Sequence, residues 1–411
     1  MNSRTLIGPF TQILPMTDLP MKGPITDREL TVVEQAGILI KDDFIIEVGA
    51  WNALKEKYFY EDVNLEEIES PAVCLPGFID SHTHICFAGN RANDFAMRNA
   101  GKSYLDIAAE GGGIWSTVTQ TRAATENELV ANAMHRVSQL AAQGITTVEV
   151  KSGYGLSVKE ELKMLRAINT VKRLSGLQIV TTCLAAHSVP KDASVEQYLA
   201  EVNENLLPVI NKEGLSNRVD AFIEQGAFSP AQIQPYFQKA KELGFDITVH
   251  ADQFSVGGSE IAVAYDAVSA DHLEVSGNNE IKLLAQSNTV ATALPGASIG
   301  LGVAFTPARK LLDAGACVAI ATDWNPGSAP QGNLLAQAAI LATYEKLTTA
   351  EVLAAITVRA AHALRLTNVG KIQKDYRADL AIFSTDHYEN ILYHQGQLQP
   401  SKTVLGGKLT N

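Results

Sequence analysis

Two histidines one residue apart, His82 and His84, close the run Val73-Cys-Leu-Pro-Gly-Phe-Ile-Asp-Ser. On an extended strand alternate side chains face the same way. Both imidazoles can therefore present a neutral ring nitrogen to one metal ion, the commonest use of paired histidines. Alone the pair is a weak sign, because two of nine histidines can fall together by chance or serve as polar plugs. Three further histidines, His187, His250 and His272, each close an apolar, strand-like run, over 179–187, 245–250 and 267–272. A fourth run, 317–323, closes on Asp323. Metal-competent side chains at the C-terminal ends of successive strands are how a parallel α/β barrel assembles a site. Three imidazoles and one carboxylate suit a mononuclear Zn²⁺ or Fe centre with positions left for water. Spacing alone does not choose among His187, His250 and His272, and Lys151 at a strand end keeps a second, bridged metal open.

The elements that must position these residues are legible as an alternation. Apolar positions recur at helical spacing over 125–143, 158–174, 195–210, 230–243, 259–265, 278–285 and 307–314. Between them lie the strand-like runs 145–150, 179–186, 219–223, 245–249, 267–270, 289–293 and 317–323. With the strand opening at Val73, read as continuous across an irregularity at Pro76-Gly77, the strands number eight, enough to close a (β/α)8 barrel of the TIM type. Residues 1–72 carry short apolar stretches, with a tight hairpin at Lys41-Asp42-Asp43, and 367–411 has the same character. Neither end can bury a core alone. The two are expected to pair into one small β-sandwich domain beside a barrel over 73–366. The excursion over 90–125 is long for a βα loop, and its Gly111-Gly112-Gly113 suggests a hinged lid. Those glycines lack the lysine and the strand–turn–helix setting of a phosphate loop. Within the excursion Asp94 and Glu110 read as solvated charges.

Composition bounds the partners. A net charge of −12 argues against nucleic acid or an anionic membrane surface. The four cysteines, Cys74, Cys86, Cys183 and Cys317, sit in apolar contexts without C-x-x-C pairing, the pattern of reduced thiols in a cytoplasmic protein. No leader-like start or membrane-length apolar run is present in the sequence.

Pro-Gly-Phe-Ile-Asp-Ser-His82-Thr-His84, His250, His272 and Ala-Thr-Asp323 together resemble the amidohydrolase superfamily. More narrowly, Phe-Ala-Gly-Asn-Arg91, Lys-Ser-Gly-Tyr154-Gly-Leu, Ala-Ala-His187, His250-Ala-Asp and Thr-Asp323-Trp-Asn325-Pro-Gly327-Ser328 are similar to the imidazolonepropionase family of histidine degradation. The likeness spans essentially the whole chain. It implies one Zn or Fe ion on His82, His84, His250 and Asp323. It also implies a small-molecule substrate, 4-imidazolone-5-propanoate, whose ring C–N bond is hydrolysed to give N-formimidoyl-L-glutamate, and a homodimer. Arg91, with a planar fork matched to a carboxylate, Tyr104, Tyr154, His187, Gln253, Asn325, Gly327 and Ser328 become the expected substrate contacts.

One position departs from part of the superfamily. Amidohydrolases of the cytosine-deaminase type, and some members of the imidazolonepropionase family, carry a glutamate three residues after the strand-five histidine, and here that position is Gln253. An amide takes no proton at neutral pH. The base role then passes to His272, with Asp323 as runner-up and Gln253 left to orient water or substrate. The same departure weighs against the nearest rival, an aminohydrolase releasing ammonia from a heterocycle. A metal-free barrel serving as a binding scaffold would be expected to lack one of the four metal positions, and all four are filled.

Overall fold

The computed structural model describes residues 4–103, 106–107 and 110–410, which form two eight-stranded sheets flanked by helices. The first sheet begins with β1 (Arg4–Ile13), β2 (Val33–Lys41), β3 (Phe44–Ala50), β4 (Asn64–Glu67) and β5 (Val73–Pro76). β2 and β3 form the expected hairpin, turning through Asp42 at φ 52, a left-handed conformation that aspartate tolerates. β1 was not apparent from the sequence pattern, because Gly8-Pro9 interrupts its apolar alternation, and its register with β2 shifts there.

The chain then builds the barrel from β6 (Phe78–Asp80), β7 (Ile145–Lys151), β8 (Gln178–Ala186), β9 (Arg218–Phe222), β10 (Asp246–Ala251), β11 (Ser269–His272), β12 (Val290–Ala293) and β13 (Val318–Ile320). Each is parallel to the next, as the alternation of strands and helices requires. Finally β14 (Leu380–Phe383), β15 (Lys402–Leu405) and β16 (Lys408–Thr410) return to the first sheet, where β14 lies antiparallel to β5. Both chain ends thus make the small β-sandwich domain, with Phe10, Ile13, Ile38, Ile40, Cys74 and Leu380 in its core.

The run from Val73 is two strands rather than one. Its first half belongs to the β domain and its second to the barrel, with Gly77 at the crossing. A Cβ at Gly77 would lie 2.2 Å from the side chain of Thr146, so only glycine allows β6 to settle against β7. The barrel seam is also informative. Among the described residues β6 and β13 share no ladder of their own. Thr322 instead donates its N–H and hydroxyl to the Asp80 carboxylate, at 2.9 and 2.6 Å. Past the strand ends, Asp323 N–H donates to the His82 carbonyl at 3.0 Å and His84 N–H to the Trp324 carbonyl at 2.9 Å. The barrel is therefore drawn shut by the segments that carry His82, His84 and Asp323.

Helix boundaries follow local chemistry. Thr125 caps Glu126–Ala142 through a capping box with Glu128, and Ser157 caps Val158–Leu174. The helix expected over 195–210 continues to Glu213 but widens into a π-turn at Val202–Leu206. Pro208, just beyond, has no N–H to continue the regular ladder. All four cysteines are buried and free, and among the described residues no helix is long and apolar enough to cross a membrane.

Candidate metal centre and substrate pocket

The strand ends bring His82, His84, His250 and Asp323 together, all buried. His84 Nε2 lies 3.3 Å from His82 Nε2 and 3.2 Å from His250 Nε2. Asp323 Oδ1 is 3.3 Å from His84 Nε2 and 3.6 Å from His82 Nε2. His82 Nδ1 is 2.7 Å from Asp271 Oδ2, so the ring proton sits on Nδ1 and donates to that carboxylate. His250 Nδ1 lies 3.0 Å from Asp220 Oδ2, off the axis of a good hydrogen bond but with the same consequence for the tautomer. The Nε2 lone pairs of His82 and His250 thus face inward. Asp323 Oδ1, which has no hydrogen-bond partner among the described residues, joins them there.

Lone pairs and a carboxylate turned on one another in a buried space repel unless a cation stands among them. Ligands placed tetrahedrally about 2.0–2.1 Å from zinc would be separated by about 3.3–3.4 Å. His82, His84 and His250 lie close enough together to share one ion, and Asp323 Oδ1 stands beside two of them, 3.3 Å from His84 Nε2 and 3.6 Å from His82 Nε2. Burial holds His82 well below the ordinary histidine range and brings His84 down to about 4, the latter against the pull of Asp323, so both rings are neutral. Burial alone would raise Asp323, but its close approach to His84, then to the other imidazoles, brings it below the usual aspartate value. Asp323 sits at φ 52, in the left-handed region that aspartate adopts more readily than most residues.

Behind these four side chains is a chain of buried charges. Asp271 also accepts from Thr248 Oγ1 at 3.1 Å. Asp220 Oδ2 lies 2.9 Å from Lys151 Nζ, which reaches Glu149 Oε1 at 2.7 Å, and Glu149 Oε2 accepts from Thr83 N–H at 3.2 Å. Burial would lower the Lys151 pKa, but Asp220 and Glu149 outweigh it and hold the ammonium well above the ordinary lysine value. Lys151 is thereby committed to two carboxylates, which argues against its bridging a second metal. Asp220, Asp271 and Glu149 were missed by sequence reasoning. Their signal was a lone carboxylate inside an apolar strand, which is costly to bury unless something pairs with it.

Above this cluster opens a cavity of about 630 Å³. His84, His250, His272 and Asp323 form its floor, while Arg91, Tyr154, His187, Gln253, Asn325, Gly327 and Ser328 line the walls. His82 lies beneath, and Tyr104 falls outside the described residues. The His272 ring is 5.2 Å from that of His250, and its Nδ1 is 3.3 Å from Glu274 Oε1. Burial would lower the His272 pKa, yet Glu274, then Asp323 and Asp271, raise it. His272 and Leu273 both sit at positive φ, 86° and 71°, so the strand ends in a strained turn at the pocket floor. His187 Nδ1–H donates to the Gly153 carbonyl at 3.0 Å, and its ring stacks on His84.

Asn325 shapes the last loop. Its amide donates to the Asp323 carbonyl and to Ser328 Oγ, while its oxygen accepts from the N–H groups of Gly327 and Ser328 at 2.7 and 2.8 Å. A Cβ at Gly327 would lie 2.4 Å from Arg91 Nη1, so the guanidinium rests directly on that glycine. The reading of Asp94 as a solvated charge is corrected. Asp94 is buried, takes the Arg91 Nε–H at 2.8 Å, and accepts from Gly113 N–H at 2.8 Å. The glycine triplet serves this closure: Gly112 passes Asp94 so closely that a Cβ there would sit 2.6 Å from its carboxylate. Glu110 is exposed and pairs with Lys102.

Comparison with known proteins agrees with this geometry. A family model described as the amidohydrolase family matches residues 73–410. The chain is 42% identical over 387 residues to the imidazolonepropionase of Bdellovibrio bacteriovorus, covering 93% of this chain and 90% of that one. It is 39% identical over 389 residues to the imidazolonepropionase of Symbiobacterium thermophilum, covering 93% and 91%. Among solved structures, an adenosine deaminase from Xanthomonas campestris with bound zinc superposes with a TM-score of 0.74 at 17% identity, covering 99% of this chain and 92% of that one. The ochratoxinase of A. niger gives 0.71 at 16%, covering 99% and 95%. These distant structures share the fold.

Proposed function

We infer the reaction from a chain that belongs to the amidohydrolase family and, within it, to the imidazolonepropionases: hydrolysis of the ring C–N bond of 4-imidazolone-5-propanoate to N-formimidoyl-L-glutamate, in histidine degradation. The observation that carries it is the convergence of His84 Nε2, His250 Nε2 and Asp323 Oδ1 at the floor of a cavity, with His82 Nε2 just beneath them and cationic side chains on the wall.

His82, His84, His250 and Asp323 would hold one zinc or iron ion. Such an ion would supply an acidified water, with a pKa of about 7, and polarisation of a carbonyl oxygen. The remaining work falls to the chain's own residues. His272, on the floor beside His250, takes a proton from the attacking water and passes it to the ring nitrogen as the C–N bond breaks, with Asp323 as the second candidate for the first transfer. Glu274, next to His272 Nδ1, holds that ring with Nε2 available to the cavity. Gln253 orients water or substrate as donor and acceptor. His187, its Nδ1–H spent on Gly153, offers Nε2 to a ring N–H, and Tyr154 offers its hydroxyl or ring face. Arg91, resting on Gly327, faces the substrate carboxylate, with Asn325 and Ser328 defining the loop beside it.

The barrel over 73–366 is the catalytic unit in this reading, and 1–72 with 367–411 the supporting β domain. The first junction is better drawn at Gly77, since β5 pairs with β1 and β14. A cytoplasmic homodimer without a nucleic-acid partner completes the proposal. Incubating purified protein with 4-imidazolone-5-propanoate tests it: N-formimidoyl-L-glutamate should accumulate without ammonia. Ammonia release would instead identify a deaminase.

A further inference from the structure

We propose that Arg98 is a second carboxylate-binding residue of this pocket, gripping with Arg91 the anionic tail of the substrate; the proposal rests on the imidazolone reading above. Three cations line one side of the cavity, Arg91, Arg98 and Lys102. Two have carboxylate partners: Arg91 Nε is 2.8 Å from Asp94 Oδ2, and Lys102 pairs with Glu110. Among the described residues Arg98 has no carboxylate within ion-pair distance. Its Nε is buried and without a hydrogen-bond partner there, and its Nη2 reaches only the Gly327 carbonyl, at a long 3.4 Å.

Gly327 is also the residue on which Arg91 rests, so the two guanidinium groups flank a single glycine at the cavity wall. Burial first and then the charge of Arg91 hold the Arg98 pKa below the ordinary arginine value, with the Asp94 carboxylate opposing them only in part. Arginine does not relieve that strain by losing its proton. A bound carboxylate relieves it by accepting charge-assisted hydrogen bonds from both forks. Arg91 alone, already paired with Asp94, brings almost no net charge, whereas the pair brings one uncompensated positive charge, matching a single carboxylate.

The test uses the full-length zinc-loaded protein and two non-hydrolysable probes, 3-(imidazol-4-yl)propanoate and carboxylate-free 4-propylimidazole, titrated by calorimetry at about pH 9, where the imidazole ring of each is neutral, into wild type, Arg98→Gln and Arg98→Lys. Wild type should prefer the acid. Arg98→Gln should weaken the acid by about tenfold to a hundredfold while binding the neutral probe as wild type does. Arg98→Lys, which keeps the charge and loses the fork, should fall between. Thermal melts of the variants identify any general loss of fold, and the neutral probe reports whether the pocket is intact. If wild type hydrolyses the imidazolone and prefers the acid probe, but Arg98→Gln keeps that preference, the Arg98 assignment fails alone. If wild type neither hydrolyses the imidazolone nor prefers the acid, the functional reading fails and takes this proposal with it.

Discussion

Two of the three clustered histidines, His82 and His250, have a buried carboxylate behind the ring. His82 owes its tautomer to Asp271, and His250 owes its to Asp220, which Lys151 holds in turn. Asp271→Asn keeps the volume but offers His82 Nδ1–H a weaker acceptor, and metal affinity is expected to fall about 10- to 100-fold. Zinc retained after dialysis against a graded chelator series measures this, and wild-type retention would show that Asp271 is not orienting the ligand. His272→Asn should lower kcat by about 10²- to 10⁴-fold with a smaller change in KM and with zinc content kept. An unaltered kcat would pass the base role to Asp323. The histidines and Asp323 were legible because each ends an apolar run. Asp220, Asp271 and Glu149 were not, because a pattern that asks which positions are apolar passes over the lone charge among them. Asp94 was misread for a related reason: nothing in its local sequence reveals that Arg91 and Gly113 fold over it.

At the scale of elements, the junction at Gly77 decides whether β6 reaches β7. Gly77→Ala pushes a methyl into Thr146 and should cost about 1–3 kcal/mol, read as a lowered Tm, with Thr146→Ala in the same chain recovering part of the loss. Full stability of the single variant would mean that the strand does not cross there as described. The sequence showed the apolar run but not its division, since β5 and β6 are both buried throughout and both short, at four and three residues. What separates them is their partners, β14 and β1 for one and β7 for the other, and those lie far away in the chain. The helices were easier to read because their evidence is local: periodic apolar faces, Thr125 and Ser157 at their starts, and glycine or proline near their ends. β1 was hidden by Gly8-Pro9, which resembles a turn when read without its neighbours.

The whole molecule couples the metal centre to the closing of the barrel, because the segments bearing His82, His84 and Asp323 also exchange the backbone hydrogen bonds of the seam. Removing the ion leaves neighbouring acceptors facing one another without a cation between them. The metal-free protein should keep most of its far-UV circular dichroism yet melt at a lower temperature. Zinc at a hundred times its dissociation constant contributes about 2.7 kcal/mol. Identical melting with and without zinc would place the ion elsewhere. The most direct measurement titrates zinc into chelator-stripped protein while following formation of N-formimidoyl-L-glutamate. Turnover should rise from near zero and level off at one ion per chain. Full turnover in the metal-free protein, or a plateau that requires two ions, would contradict a hydrolytic site built from His82, His84, His250 and Asp323 around a single metal.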